Sequence, residues 1–142
     1  MNKIIVIVDD DIELQQELKE LLVSGGYEVR SCIDGESALQ SIPDIMPDLI
    51  LLDMKLGKIN GFQVAERLKQ MFGACYIPVI VMTGYYAPKE IELLKDICGV
   101  TKCITKPINP ENILVEIDEI LHAIGTTGAR NSAPPLMPKQ NR

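Results

Sequence analysis

One pattern constrains this chain more than any other. Five times, a short run of apolar, mostly β-branched residues is followed by a longer stretch with helical spacing. Lys3–Val8 (KIIVIV), Asp48–Leu52 (DLILL) and Pro78–Met82 (PVIVM) are almost continuously apolar, as expected of strands buried on both faces. Tyr27–Cys32 and Lys102–Thr105 read as two further short strands. Asp11–Ser24 carries Ile12, Leu14, Leu18, Leu21 and Leu22 at helical spacing and stops at Gly25-Gly26. Gly35–Ile42 is a short helix expected to end before Pro43, and Phe62–Phe72 lines up Phe62, Ala65, Leu68 and Phe72 on one side. Pro88–Ile97 and Pro110–Ile124 each open with a proline in the first turn, the second behind Asn109 as a cap. Such alternation implies an α/β architecture with a parallel sheet. Right-handed crossovers make a doubly wound sheet the simplest solution, with its crevice at the carboxyl ends of the strands.

Size and charge narrow the function. The chain has 142 residues, which fits one domain. Such a domain buries roughly two thirds of its unfolded surface and needs no disulfide or structural metal to fold. Residues 125–142 hold three basic groups and no acid, leaving 11 bases against 20 acids, a net of −9, in residues 1–124. So acidic a body is a poor partner for nucleic acid or anionic membranes and suits a cation or a basic protein surface. No apolar run approaches the roughly 20 residues that span a bilayer, and the N-terminus lacks a signal-peptide pattern. Cys32, Cys75, Cys98 and Cys103 form no CxxC pair, and His122 is the single histidine, so zinc-ligand spacing is missing. These cysteines read as small apolar residues in a reducing cytosol. Residues 125–142 are aperiodic and contain three prolines, and read as a flexible tail or linker after a domain over 1–124.

The strand ends carry the chemistry. The first strand runs into Asp9, Asp10 and Asp11, the third into Asp53, the fourth into Thr83 and the fifth into Lys106. In a parallel sheet these ends share one edge, so carboxylates, a hydroxyl and an ammonium meet in one small volume. Two unit charges about 5 Å apart repel by roughly 3 kcal/mol at an effective dielectric near 20. Mg²⁺ would offset this, since it takes hard oxygen ligands through one or two carboxylates. A carboxylate beside such a cation can act as a nucleophile towards a phosphoryl group, with Lys106 and Thr83 stabilising its oxygens. Taken singly, each residue has a plainer role. Asp10 or Asp11 can cap the first helix, Asp53 and Thr83 can be strand-end residues, and Lys106 can be a solvated charge.

The combination resembles the receiver domain of two-component response regulators. The matching pieces are IIVIVDDD at 4–11, DLILLDMKLGKINGF at 48–62, PVIVMTG at 78–84 and CITKPI at 103–108. The resemblance covers about residues 3–124. It implies a flavodoxin-like (βα)5 fold with strand order 2-1-3-4-5. Asp53 matches the aspartate that accepts phosphate from a histidine kinase or phosphotransfer protein. Asp10 and, through water, Asp9 match the acidic pair that holds Mg²⁺, and Lys55 matches the position whose backbone carbonyl joins them. Thr83 and Lys106 match the hydroxyl and lysine that meet the phosphoryl group. The Lys106–Pro107 bond resembles one that is cis in the family, and Gly61 matches the glycine that opens the third helix. The resemblance further implies a cytoplasmic protein that catalyses its own phosphorylation and dephosphorylation without turning over an outside substrate. Phosphorylation would bias a face made of the fourth strand and helix and the fifth strand and helix, through which a homodimer could form.

Two departures stand out. Gly57 occupies the family's usual proline position, and Cys103 stands where the family has a switch aromatic, so the usual coupling of the threonine to a buried ring is not expected; Tyr85 and Tyr86, just after Thr83, are placed to offer an aromatic element instead. Three other readings compete. A flavodoxin-like electron carrier needs a phosphate-binding loop rich in Ser, Thr or Gly after the first strand, and this one is acidic. An Asp-nucleophile phosphatase needs a second acid two residues after the nucleophile, where Lys55 stands. A pseudo-receiver that only binds protein usually lacks the acceptor or the acidic pair, and this chain has both. Output could come from partner binding by a single-domain regulator. Alternatively, 125–142 is a linker towards an output domain, the reading its prolines favour.

Overall fold

The computed structural model describes residues 2–72, 77–84, 89, 92, 95–96 and 99–127. Its strands are β1 (Ile4–Val8), β2 (Glu28–Cys32), β3 (Leu49–Asp53), β4 (Val79–Thr83) and β5 (Lys102–Thr105). All neighbours pair parallel, in the order β2-β1-β3-β4-β5. The continuous apolar runs have the expected cause: β1 and β3 are covered on both faces, and the two-residue period of a strand divides their side chains.

Val6, Val8, Ile50, Leu52, Val79 and Val81 point to one side and pack with Ala38, Ile42, Val64 and Leu68. Those four belong to α2 (Gly35–Ile45) and α3 (Gly61–Phe72). Ile5, Ile7, Leu49, Leu51, Ile80 and Met82 point to the other side, against Leu18, Leu22, Ile113, Ile117 and Leu121. Those five lie on α1 (Ile12–Ser24) and α4 (Pro110–Thr127). The sheet is therefore wound with helices on both faces. Tyr27, just before β2, donates its hydroxyl to Asp118 on α4 and links the start of the edge strand to that layer. Among the described residues, no helix is long and apolar enough to cross a membrane.

The helix starts follow from side-chain capping. Asp11 Oδ1 accepts from the Leu14 amide at 3.1 Å and Asp34 Oδ1 from the Ser37 amide at 2.7 Å. Asn60 and Gln63 cap α3 reciprocally, each side-chain oxygen taking the other's amide, at 2.9 and 3.0 Å. Asn109 caps α4 through the amides of Glu111 and Asn112.

The strands fall within one residue of expectation, and two helix ends differ from it. α2 continues through Pro43 to Ile45 instead of stopping at Ile42. Proline costs a helix one hydrogen bond, but Ile45 still gains apolar contact with the core beneath, and packing overrides the local penalty. The helix ends at Met46, whose φ of 50° is left-handed, with its amide donating to the Ile42 carbonyl. α4 runs to Thr127, past the boundary expected at Ile124. Of the helix expected over 88–97, Lys89, Glu92, Lys95 and Asp96 are helical and the rest lies outside the described residues, as do Tyr85, Tyr86 and residues 128–142.

Candidate functional site

Register builds the site. Val8 pairs with Leu52 and Asp53 with Met82, so Asp9 follows β1 beside the end of β3. Thr83 pairs with Thr105, which places Lys106 immediately beyond β5 at the same edge. A one-residue slip would send these side chains to opposite faces, so the apolar runs that fix the register also fix the site.

Asp9, Asp10 and Asp53 come together, with one carboxylate oxygen from each lying within 4.8 Å of the others. Asp9 is fully buried and Asp53 is 4% exposed, whereas Asp10 is open to solvent. Lys106 reaches between the two buried acids, its Nζ 3.0 Å from Asp9 Oδ2 and 3.3 Å from Asp53 Oδ1. Asp9 Oδ1 accepts from the Asp11 amide at 2.9 Å, and Asp53 Oδ1 from the Lys55 amide at 3.3 Å. Among the described residues no hydrogen bond reaches Asp53 Oδ2. Thr83 is half-buried at the end of β4, and its carbonyl accepts from the Lys106 amide at 2.7 Å. The Lys106–Pro107 peptide is cis.

Burial, and next the charge of Asp9, push the Asp53 carboxyl above the usual carboxylate range, against the pull of Lys106 and the Lys55 amide. Burial alone would lower Lys106, but its hydrogen bond to Asp9 and the charges of Asp53 and Asp9 together hold it above its ordinary 10.5. The stability Lys106 contributes is therefore fully present below pH 10.5 and lost as pH rises through its folded-state value. Asp53 has the opposite sign: the folded chain holds its proton more tightly than the unfolded chain does. Its ionisation thus disfavours the fold above the carboxylate range, and this penalty fades as pH falls through the folded-state value. Asp53→Asn is expected to raise stability at pH 7 by about 1 kcal/mol, the low end for a close charge pair with a cation nearby. That gain should shrink as pH drops into the carboxylate range. Urea denaturation of both proteins between pH 3.5 and 8 measures it, and a gain constant with pH would refute the electrostatic cause.

Gln15 belongs to the site's surroundings and was not singled out from the sequence. It is 5% exposed and donates from Nε2 to the carbonyls of Ile7, Asp9 and Cys32 at 3.1, 3.0 and 2.9 Å. The signal was present: with Leu18 and Leu22 it completes an i, i+3, i+7 stripe in which it is the one polar member. Cys103 is half-buried on β5 and packs against the α2–α3 side of the core, where burial raises its thiol pKa. Gly57 has open space where a Cβ would stand.

The family model described as the response regulator receiver domain matches residues 5–118. The chain belongs to that family. Among similar proteins, the transcriptional regulatory protein CpxR of Escherichia coli is 37% identical over 121 residues, covering 85% of this chain and 50% of CpxR. The alkaline phosphatase synthesis transcriptional regulatory protein PhoP of Bacillus subtilis is 33% identical over 124 residues, covering 85% of this chain and 49% of PhoP. This receiver domain thus spans about half the length of such relatives. Among solved structures, a CheY-like receiver domain protein of Methanospirillum hungatei superposes with a TM-score of 0.82 at 28% identity, over 89% of this chain and 99% of that one. The chemotaxis regulator CheY4 of Vibrio cholerae gives 0.78 at 26%, over 84% and 99%. The flavodoxin-like architecture and strand order expected from the sequence are those of this receiver domain.

Proposed function

We propose that this receiver domain is a phosphorylation switch that accepts a phosphoryl group on Asp53 from a phosphohistidine donor, a histidine kinase or phosphotransfer protein. The observation that carries the reading is the pairing of a buried acceptor with a buried acid through one lysine. Asp53 and Asp9 face each other across Lys106 at the carboxyl edge of the sheet. The three clustered carboxylates and their all-oxygen donor set fit a divalent cation such as Mg²⁺, with Asp10, Asp53 and the Lys55 carbonyl as ligands and Asp9 acting through water. When bound, the ion would neutralise the acids and the incoming phosphoryl oxygens.

The remaining chemistry belongs to the chain. The Lys55 amide and Lys106 hold Asp53 Oδ1 and so fix the plane of the carboxylate. Oδ2 is left as the nucleophile. Its lone pair forms the new O–P bond as the P–N bond to the donor imidazole breaks, and the departing nitrogen takes up a proton. Lys106 is close enough to exchange its contact with Asp53 for one with the phosphoryl group, and the Thr83 hydroxyl supplies a further donor. The added charge then biases the face of β4, β5, α4 and the helix between the strands, where a partner or a second copy would bind. Water would later reverse the modification. The reading implies a cytoplasmic setting and no turnover of an outside substrate. The relatives named above are transcriptional regulators. What carries over to this chain is the receiver's part, not contact with DNA.

Intact-mass spectrometry after incubation with Mg²⁺ and acetyl phosphate tests this. One added phosphoryl group is expected in the wild type, absent in Asp53→Asn and absent with a chelator. No addition to a folded, Mg²⁺-binding wild type would overturn the phosphoacceptor reading in favour of a module that binds protein without phosphorylation.

A further inference from the structure

Asp9 and Asp10 sit where the sheet no longer holds the chain. The β1–β2 ladder ends at Val8↔Cys32 and the β1–β3 ladder at Val8↔Leu52. Beyond that last pair, the Asp9 amide still donates to the Cys32 carbonyl at 3.1 Å. The Asp9 side chain is held by the Asp11 amide and Lys106, and a further constraint on its backbone comes from a helix. Gln15, one turn into α1, places Nε2 among the carbonyls of Ile7, Asp9 and Cys32, all within 3.1 Å. Its amide thus ties the next-to-last residue of β1, the last residue of β2 and the first residue past β1 to one rigid point.

The geometry points to Gln15 as a positioning residue that presents Asp9 and Asp10 for cation binding; the inference rests on the metal-dependent phosphoacceptor reading above. A second observation separates this from ordinary core packing. Gln15 Oε1 is buried and has no partner among the described residues. A buried acceptor left unpaired is costly, and an apolar side chain at this point of the Leu18–Leu22 stripe would avoid the cost. Only the donor end of the amide is used, and it is used on the backbone of the acid-bearing turn. An outer-shell group of this kind orients the ligands and does not touch the ion. Asp53 is held by its own strand register, so Gln15 should govern how tightly the cation binds and leave the acceptor where it is.

The test is Mg²⁺ titration calorimetry together with the rate of phosphorylation by acetyl phosphate. Gln15→Met keeps the shape and removes the donors. Gln15→Asn keeps an amide but shortens its reach, and serves if the first variant folds poorly. Both are expected to weaken Mg²⁺ binding roughly tenfold. At saturating Mg²⁺ both should phosphorylate within about twofold of wild type, because only the cation term has changed. Leu121→Ala, in the core at the far end of α4, controls for stability and should leave the Mg²⁺ affinity unchanged. If wild type binds Mg²⁺ and is phosphorylated but the Gln15 variants bind it equally well, the positioning role is overturned and the phosphoacceptor reading stands. If wild type itself binds no Mg²⁺, both fall together.

Discussion

Lys106→Ala is expected to lower stability by about 3 kcal/mol and the melting temperature by roughly 10 °C. The substitution leaves Asp9, which is fully buried, facing Asp53, which is 4% exposed, with no cation between them. Removing one partner of a buried ion pair costs more than the pair is worth, because the surviving charge keeps its desolvation penalty. The lower end of the usual range applies, since the Lys106 side chain is 24% exposed and Asp9 retains the Asp11 amide. Two signatures distinguish this from lost packing. Saturating Mg²⁺ should restore part of the loss, and lowering the pH should restore part of it too, since Asp53, already held above the carboxylate range, can then take a proton. Thermal melts with Mg²⁺ and with a chelator, from pH 4 to 8, measure both. The variant should still accept phosphate but signal poorly, because the contact that would report the phosphoryl group is gone. A loss below 1 kcal/mol, insensitive to Mg²⁺, would mean that Lys106 does not hold the acids together.

Gly61→Ala should damage both fold and chemistry. A Cβ at Gly61 would stand 2.5 Å from the Asp53 carbonyl oxygen and 2.7 Å from the Met54 Cα. Both obstacles are backbone atoms, and the Gly61 amide also donates to the Met54 carbonyl at 3.0 Å. α3 therefore starts hard against the backbone of Asp53 and Met54, and the only relief is to move one or the other. Overpacking of this sort costs about 2–3 kcal/mol. A displacement of Asp53 approaching 1 Å would slow phosphoryl transfer by on the order of 100-fold. Gly57→Ala, four residues before Gly61 and facing open space, should change stability by less than about 1 kcal/mol and leave the rate alone. Urea denaturation and acetyl phosphate kinetics at saturating Mg²⁺ compare the two variants. Equal behaviour would show that the close approach at Gly61 has no mechanical role.

The site was legible in the chain because of where its residues stand relative to apolar runs. Asp9, Asp53, Thr83 and Lys106 each end or follow a strand, and parallel pairing brings strand ends together whatever the side chains between them. The elements were legible from period alone: two-sided burial for β1 and β3, and helical stripes such as Leu18–Leu22. Pro43 misled because a local propensity was weighed without the core contact that Ile45 makes beyond it. Gln15 escaped because a polar residue at the start of a helix reads as solvated unless its neighbours across the fold are known.

What the sequence determined by itself was therefore the layout: alternating strands and helices, a parallel doubly wound sheet, and one edge rich in carboxylates. These are consequences of period and order along the chain, which need no knowledge of distance. Only the tertiary structure decided which side chains touch. Lys106 lies 97 residues from Asp9 and bridges it to Asp53, Gln15 holds a turn through three carbonyls, and Gly61 lies against the backbone of Asp53. Such contacts are set by the packing of helix on sheet to within fractions of an ångström, and no one-dimensional pattern carries that information.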